Sequence, residues 1–323
     1  MRALILGGGG MVGQRLAQHI SLNGLGGQPV DITLHDIAFP PVKIAKCTQV
    51  IGSIADKGVA QALAKTKPDV IFHLASIVSG EAEADFTKGW AVNMHPTWEL
   101  LEGLRAEQES DASYRPRVVF TSSIAVFGGP YPDKIGDDFL TAPQTSYGAQ
   151  KLICEAMISD FSRKGFIDGI SIRLPTICVR PGKPNAAASS FFSGIIREPL
   201  NGQEAILPVS DATRHWHASP RSAVKFLTHA ATIDTELLQG RRALNLPGVS
   251  CTVAEQIEAL RDLAGNDVVS LIKPQPDSVI GKIVEGWPRD FEPDRARALG
   301  FSAEVNFKEI IQVYLNDDLP KPA

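Results

Sequence analysis

Cysteine is scarce in this chain, and it falls into no pattern. The four thiols, Cys47, Cys154, Cys178 and Cys251, are scattered with no C-x-x-C pair. Spacing of that kind argues against a disulfide framework and suits free thiols in a reducing cytoplasm. Neither sign of charge dominates. The 32 Lys and Arg against 36 Asp and Glu leave a net charge of −4, which points to neither a nucleic-acid stripe nor a membrane-binding face. Long apolar runs are missing as well. The opening run from Met1 to Leu6 is too short to span a bilayer and leads straight into glycines, so it reads neither as a membrane span nor as a signal peptide. No internal repeat or low-complexity tract is present. His215-Trp216-His217 offers two imidazoles at i, i+2, but no carboxylate or cysteine completes a metal site, and no metal is expected.

What is present is a globular enzyme's composition. The 323 residues, 21% of them charged, can bury a large core and suggest two lobes. The apolar run at the N-terminus passes into Gly7-Gly8-Gly9-Gly10-Met11-Val12-Gly13 and then into a segment with helical spacing at Val12, Leu16 and Ile20. Strand, glycine turn and helix in this order form a cradle in which backbone can approach a pyrophosphate lying on the helix N-terminus. Gly7, Gly10 and Gly13 carry the G-x-x-G-x-x-G spacing, with Met11 and Val12 between them. A second strand runs over 30–35 and leads into Asp36, placed 23 residues after Gly13. A carboxylate there accepts hydrogen bonds from the adenosine ribose hydroxyls and repels a 2′-phosphate, which favours NAD over NADP.

Strand and helix patterns continue to alternate. Short strands are expected over 50–52, 70–76, 117–123 and 169–174, with helices over 56–66, 96–106 and 144–164 between them. The fold class is therefore α/β, a Rossmann-type doubly wound parallel sheet with ligands at the C-terminal ends of the strands. Residues 179–200 are rich in Pro, Gly, Ala and Ser and read as an irregular, substrate-facing loop containing a helix. Helices over 253–264 and 307–315 indicate a smaller, mostly α C-terminal lobe. The expected division is 1–174 plus about 212–246 for the NAD-binding domain, with 175–211 and 247–323 for the substrate-binding lobe.

Tyr147-Gly148-Ala149-Gln150-Lys151 is the most informative stretch. Tyr and Lys four apart share one helix face. There an ammonium favours phenolate over phenol, and a tyrosine so poised can take a proton from an alcohol while a cofactor takes the hydride. The spacing alone is weak and equally describes a solvated helix face; the upstream glycine cradle gives it weight.

With these features in place the chain resembles the extended short-chain dehydrogenase/reductases, the NAD-dependent epimerase/dehydratase family, over essentially its whole length. Gly7, Gly10, Gly13 and Asp36 match that family's cofactor motif. His73-Leu74-Ala75-Ser76 resembles the strand end that lines the cofactor, and Asn93 a Val-Asn pair before a helix. Ser122-Ser123-Ile-Ala-Val-Phe-Gly resembles the segment bearing the catalytic serine. The resemblance implies that Ser123 binds the substrate oxygen, that Tyr147 is the general base, and that Lys151 holds the nicotinamide ribose. It also implies that Pro175 and Ile177, flanking Thr176, hold the carboxamide through backbone groups. Ser53 and Ile54 fall where many relatives contact adenine. Ser53 replaces their Asp, and Thr176 replaces the Asn that many nucleotide-sugar enzymes direct at a sugar diphosphate.

The remaining signal lies in Arg180-Pro-Gly-Lys183-Pro-Asn185-Ala-Ala-Ala-Ser189-Ser190 and in Arg214-His215-Trp216-His217, the latter expected to follow a strand. A guanidinium binds a carboxylate with two parallel hydrogen bonds. Ser76, Ser123, Tyr147, Thr176, Arg180, Asn185, Ser190 and Arg214 are therefore candidate contacts for a small sugar acid. The plain alternatives are structural ion pairs for the arginines, turn and cap roles for Asn185 and Ser190, and hydrogen-bonded strand positions for His215 and His217. The expected reaction is NAD-dependent oxidation of the C2 hydroxyl of a small sugar acid. The alternative is a nucleotide-sugar 4-epimerase with tightly bound NAD. The resemblance further implies a cytoplasmic homodimer formed through the helix after Pro96 and the helix bearing Lys151, with Leu100, Leu104, Ile153 and Met157 either at that interface or in the core.

Overall fold

The computed structural model describes residues 1–182 and 187–319. These residues form two compact units. One comprises Met1–Val126, Pro143–Leu174 and Val224–Asn245; the other comprises Phe127–Ala142, Pro175–Ala223 and Leu246–Ala323, so far as described.

The first unit is built on a seven-stranded sheet whose order is Ala243–Asn245, Asp168–Leu174, Arg117–Ser123, Val70–His73, Arg2–Leu6, Asp31–Asp36, Cys47–Ile51. Every pairing in it is parallel. Parallel strands are covered on both faces, so they read as near-continuous apolar runs. Ala3–Leu6 and Val70–His73 are accordingly buried at every position. The order reverses between Arg2–Leu6 and Val70–His73, and ligands bind at the C-terminal ends beside such a switch point. The register also sets Ser123 opposite Leu174, two residues before Thr176. Leu100, Leu101 and Leu104, from the helix His95–Ser110, are fully buried against Leu63, Ile71 and Val118. Of the two roles open to Leu100 and Leu104, they take the core one. On the two helices expected at a dimer interface, Trp98 and Ile153 are the large apolar side chains that remain exposed.

The second unit packs the helices Ser190–Leu200, Val253–Ala264 and Phe307–Asp317 around one apolar cluster that includes Phe192, Leu260 and Ile311. The helix Val253–Ala264 starts where Thr252 and Glu255 form a capping box. A three-stranded sheet lies alongside, in the order Val249–Thr252, Arg214–Ala218, Thr176–Ile177. The segment from Arg214 to His217 is thus itself strand, rather than the loop after one, because all four residues pair with Val249–Thr252. No helix among the described residues is long and apolar enough to cross a membrane.

Candidate active site

The glycine turn is shaped by contacts that leave no room for a side chain. Gly7 has φ +82°, and a Cβ there would lie 2.7 Å from the Ala75 backbone nitrogen. The exits of the strands Arg2–Leu6 and Val70–His73 therefore touch backbone to backbone. A Cβ on Gly9 would collide with the Ala38 carbonyl, and one on Gly13 with the Gly7 carbonyl. Gly10 caps the helix Met11–Asn23, whose first turn carries no acidic residue. The Gly9 N–H donates to Asp36 Oδ2 (2.9 Å) and the Ile37 N–H to Oδ1 (2.7 Å). A bare backbone cradle, a helix N-terminus clear of negative charge and a carboxylate at the second strand's end fit a dinucleotide. Ser53 Oγ accepts from the Ala55 N–H, and Ile54 is buried beside it.

Ser76, at the exit of Val70–His73, is held by an amide chain. Its Oγ donates to Asn93 Oδ1 at 2.9 Å, and Asn93 Nδ2 donates to Gln150 Oε1 at 2.8 Å. Asn93 is 1% exposed, so its side chain serves Ser76 and the Ile77 N–H rather than an open surface.

One glycine lets the turns that carry Ser123 and Tyr147 meet. The helix Ser146–Arg163 begins at Thr145, whose Oγ1 accepts from the Gly148 N–H. A Cβ on Gly148 would collide with the Ala125 carbonyl. The first turn of this helix thus rests directly on the 3-10 turn Ile124–Val126 that follows Ser123. Ser123 and Tyr147 both remain partly exposed. Lys151 lies one turn further in, 2% exposed. Its Nζ donates to the Thr121 carbonyl at 2.9 Å and sits 4.8 Å above the Phe120 ring and 5.5 Å from the Tyr147 ring. A carbonyl dipole and two π-faces replace the water that this ammonium has lost.

Beneath the triad is a cluster the sequence did not reveal. Glu155, one turn after Lys151, accepts from Ser122 Oγ (2.5 Å) and from Arg173 Nε and Nη2 (2.9 and 2.7 Å), while Arg173 Nη1 reaches Asn245. This fork fixes the strand bearing Ser122 and Ser123 against the helix bearing Tyr147 and Lys151. The i, i+4 step from Lys151 to Glu155 was its only sequence signal. His73 is also buried here, with Nε2 3.0 Å from Thr97 Oγ1. Burial, reinforced by the Lys151 charge, pushes its pKa down to about 3.

In the second unit, Thr176 is partly exposed and its Oγ1 lies 2.7 Å from His215 Nε2. The other ring nitrogen, Nδ1, lies 3.0 Å from the Pro288 carbonyl. Burial lowers the His215 pKa to about 4 and holds that of His217 well below the ordinary value. The two histidines are therefore neutral, hydrogen-bonded strand residues, and His217 Nε2 faces Gln256 at 3.0 Å. Arg214 pairs with Glu255 at 3.2 Å and donates to the Ser250 carbonyl. Arg180 Nε donates to the Ile177 carbonyl, its N–H to Ser193 Oγ. Pro175 and Ile177 are buried on either side of Thr176. Ser190 opens the helix Ser190–Leu200; Asn185 and Lys183 lie outside the described residues. Burial pushes the Cys154 thiol up to about 11 and those of Cys178 and Cys251 to about 12, so none of these three is a thiolate nucleophile.

Comparison with known proteins agrees with this geometry. Residues 3–231 match the NAD dependent epimerase/dehydratase family. The chain is 46% identical to a D-erythronate dehydrogenase of Cupriavidus necator over 98% of both chains. It is 39% identical to a D-erythronate dehydrogenase of Haemophilus influenzae, over 99% of this chain and all of that one. A solved structure described as a nucleoside-diphosphate-sugar epimerase from Agrobacterium tumefaciens superposes with a TM-score of 0.95 at 55% identity, covering 99% of this chain and 94% of that one. Residue for residue over most of its length, the chain belongs to the NAD dependent epimerase/dehydratase family and is an NAD-dependent oxidoreductase.

Proposed function

We propose that the protein oxidises the C2 hydroxyl of D-erythronate, forming 2-oxo-tetronate. The observation that carries this reading is the end-to-end likeness to two D-erythronate dehydrogenases. When bound, NAD supplies the nicotinamide carbon that accepts the hydride. The chain's residues do the rest. Tyr147 takes the hydroxyl proton on its phenolic oxygen as the C2–H bond gives up its electron pair. Ser123 hydrogen-bonds the substrate oxygen as it changes from hydroxyl to carbonyl. Lys151, oriented by the Thr121 carbonyl, stabilises negative charge on the Tyr147 oxygen and holds the ribose hydroxyls.

For the cofactor, Gly7, Gly10, Met11, Val12 and Gly13 bind the pyrophosphate, Asp36 the adenosine ribose, and Ser53 and Ile54 the adenine. Leu74, Ala75 and Ser76 line the ring end, where Pro175 and Ile177 hold the carboxamide; Asn93 acts there by fixing Ser76. For the acid, Arg180 takes the carboxylate and Asn185, Ser190 and Thr176 take hydroxyls. Arg214 is a weaker candidate, since Glu255 already offsets its charge. The protein works in the cytoplasm in sugar-acid catabolism, as a homodimer joined through Trp98, Ile153 and Met157 on the helices His95–Ser110 and Ser146–Arg163.

NADH formation tests the reading, with free NAD and D-erythronate, L-threonate or D-threonate. Rapid NADH with D-erythronate is expected. The description of the Agrobacterium tumefaciens structure favours a second reading, a nucleotide-sugar 4-epimerase. NAD that stays bound through purification, no NADH from any acid, and interconversion of nucleotide sugars would establish that reading instead.

A further inference from the structure

His215 does more than occupy a strand position, because the protein fixes which of its nitrogens carries the proton. The Pro288 carbonyl can only accept, so the 3.0 Å contact to Nδ1 requires Nδ1–H. A neutral imidazole then has a bare Nε2, and burial keeps this imidazole neutral above about pH 4. The 2.7 Å contact at Nε2 must therefore be made by the Thr176 hydroxyl as donor. The ring cannot turn to change these roles. Phe192 stacks on it with planes 3° apart at 5.2 Å, and His217 and Trp287 hold other sides at 5.2 Å each. A threonine hydroxyl has one proton and two lone pairs. With its proton committed to Nε2, Thr176 Oγ1 offers only lone pairs on its exposed side.

We propose that His215 is a positioning residue that makes Thr176 a dedicated hydrogen-bond acceptor for a hydroxyl on the substrate's carbon chain, and so a point of discrimination between hydroxyl and deoxy acids. The proposal rests on the reading of Thr176 as a substrate contact. A carboxylate has no proton to donate and is disfavoured at this position, while a hydroxyl completes the relay from the Pro288 carbonyl through His215 and Thr176. A buried polar group left without its partner is what gives a site strong rejection of a deoxy analogue.

The test uses the full chain with saturating NAD. It compares kcat/KM for D-erythronate with kcat/KM for 2,3-dihydroxybutanoate and 2,4-dihydroxybutanoate, which lack the C4 and C3 hydroxyls. The wild-type protein should prefer D-erythronate to one of these by roughly tenfold or more. Thr176→Val should bring that ratio to within about twofold of unity, by losing activity on D-erythronate alone. His215→Phe, which preserves the ring stack, should lower the same ratio by at least about threefold through KM, with the KM for NAD unchanged. Thr176→Ser should retain the preference. An unaltered ratio in Thr176→Val or His215→Phe overturns the proposal. Long-range proton–nitrogen NMR of the imidazoles addresses His215 whatever the substrate. At pH 7 it should show the Nδ1–H tautomer, with the Nε2 signal moving in Thr176→Val; an Nε2–H tautomer or an imidazolium overturns the relay. A wild-type protein that makes no NADH from any acid defeats the functional reading and the substrate half of this proposal together, and the tautomer signal separates that failure from a failure of the relay.

Discussion

The surroundings of Tyr147 in the first unit and of Thr176 in the second bury polarity in opposite ways. Beneath Tyr147 and Ser123 the first unit buries full charges, with Glu155, Arg173 and Lys151 each satisfied by charge-assisted bonds or a carbonyl. Around Thr176 the second unit buries neutral rings, with His215 and His217 packed among Phe192, Trp287 and Phe307. Charge that does not move stabilises charge that does, which suits the place where a proton and a hydride separate. A neutral, oriented dipole suits recognition, since it distinguishes donors from acceptors without attracting every ion.

Acid should break this contrast first. The histidines His35, His73, His215 and His217 have pKa values held below the ordinary value of 6.5 by burial, His73 to about 3 and His215 to about 4. The unfolded chain therefore takes up protons that the folded one refuses. Stability is complete above pH 6.5 and falls as pH drops toward 4, by up to about 1.4 kcal/mol per pH unit for each ring. Two of these rings lie in each unit. Hydrogen exchange between pH 7 and pH 5 should therefore show protection falling in both units; a unit that keeps its protection would mean that its buried histidines do not control its stability.

Charge removal attacks the other side. Glu155→Leu removes the carboxylate that accepts from the Arg173 guanidinium, which is 11% exposed in its side chain. A loss of about 3–5 kcal/mol is expected from urea melts, with Glu155→Leu/Arg173→Met recovering most of it. A single variant that costs nothing would mean that the buried pair is not what fixes strand to helix. Tyr147→Phe removes only the phenolic oxygen proposed as the proton acceptor. It should cut kcat by roughly 10²-fold with NAD affinity and melting temperature nearly unchanged. Near-normal turnover would move the base elsewhere.

The contrast also explains what the sequence disclosed. The glycine cradle and the Tyr147–Lys151 pair are local patterns, set by φ at Gly7 and by the helical i, i+4 step, and both were legible. The helix Val253–Ala264 was readable to its ends because Thr252 and Glu255 cap its start and Gly265 its end, all within the same segment. The strand Arg214–Ala218 was not, because two histidines and a tryptophan carry no simple apolar alternation, and its pairing partner Val249–Thr252 lies well downstream. The Glu155–Arg173 fork joins residues 18 apart, and the His215–Pro288 contact joins residues 73 apart. Such contacts depend on sheet register and tertiary packing, which no window of sequence contains. Gly148 was in view within the tyrosine motif, but its need to be glycine shows only once the Ala125 carbonyl is seen beneath it.

The bonds from the Gly9 and Ile37 amides to Asp36 carry a consequence for re-engineering cofactor choice. The carboxylate proposed to select the cofactor is also a brace of the glycine turn. Replacing it by alanine withdraws two acceptors from the loop, so the apo protein becomes looser and the ordering entropy must be recovered from binding itself. A specificity switch at this position therefore works best with asparagine or serine, whose oxygen keeps the loop set while the negative charge is gone.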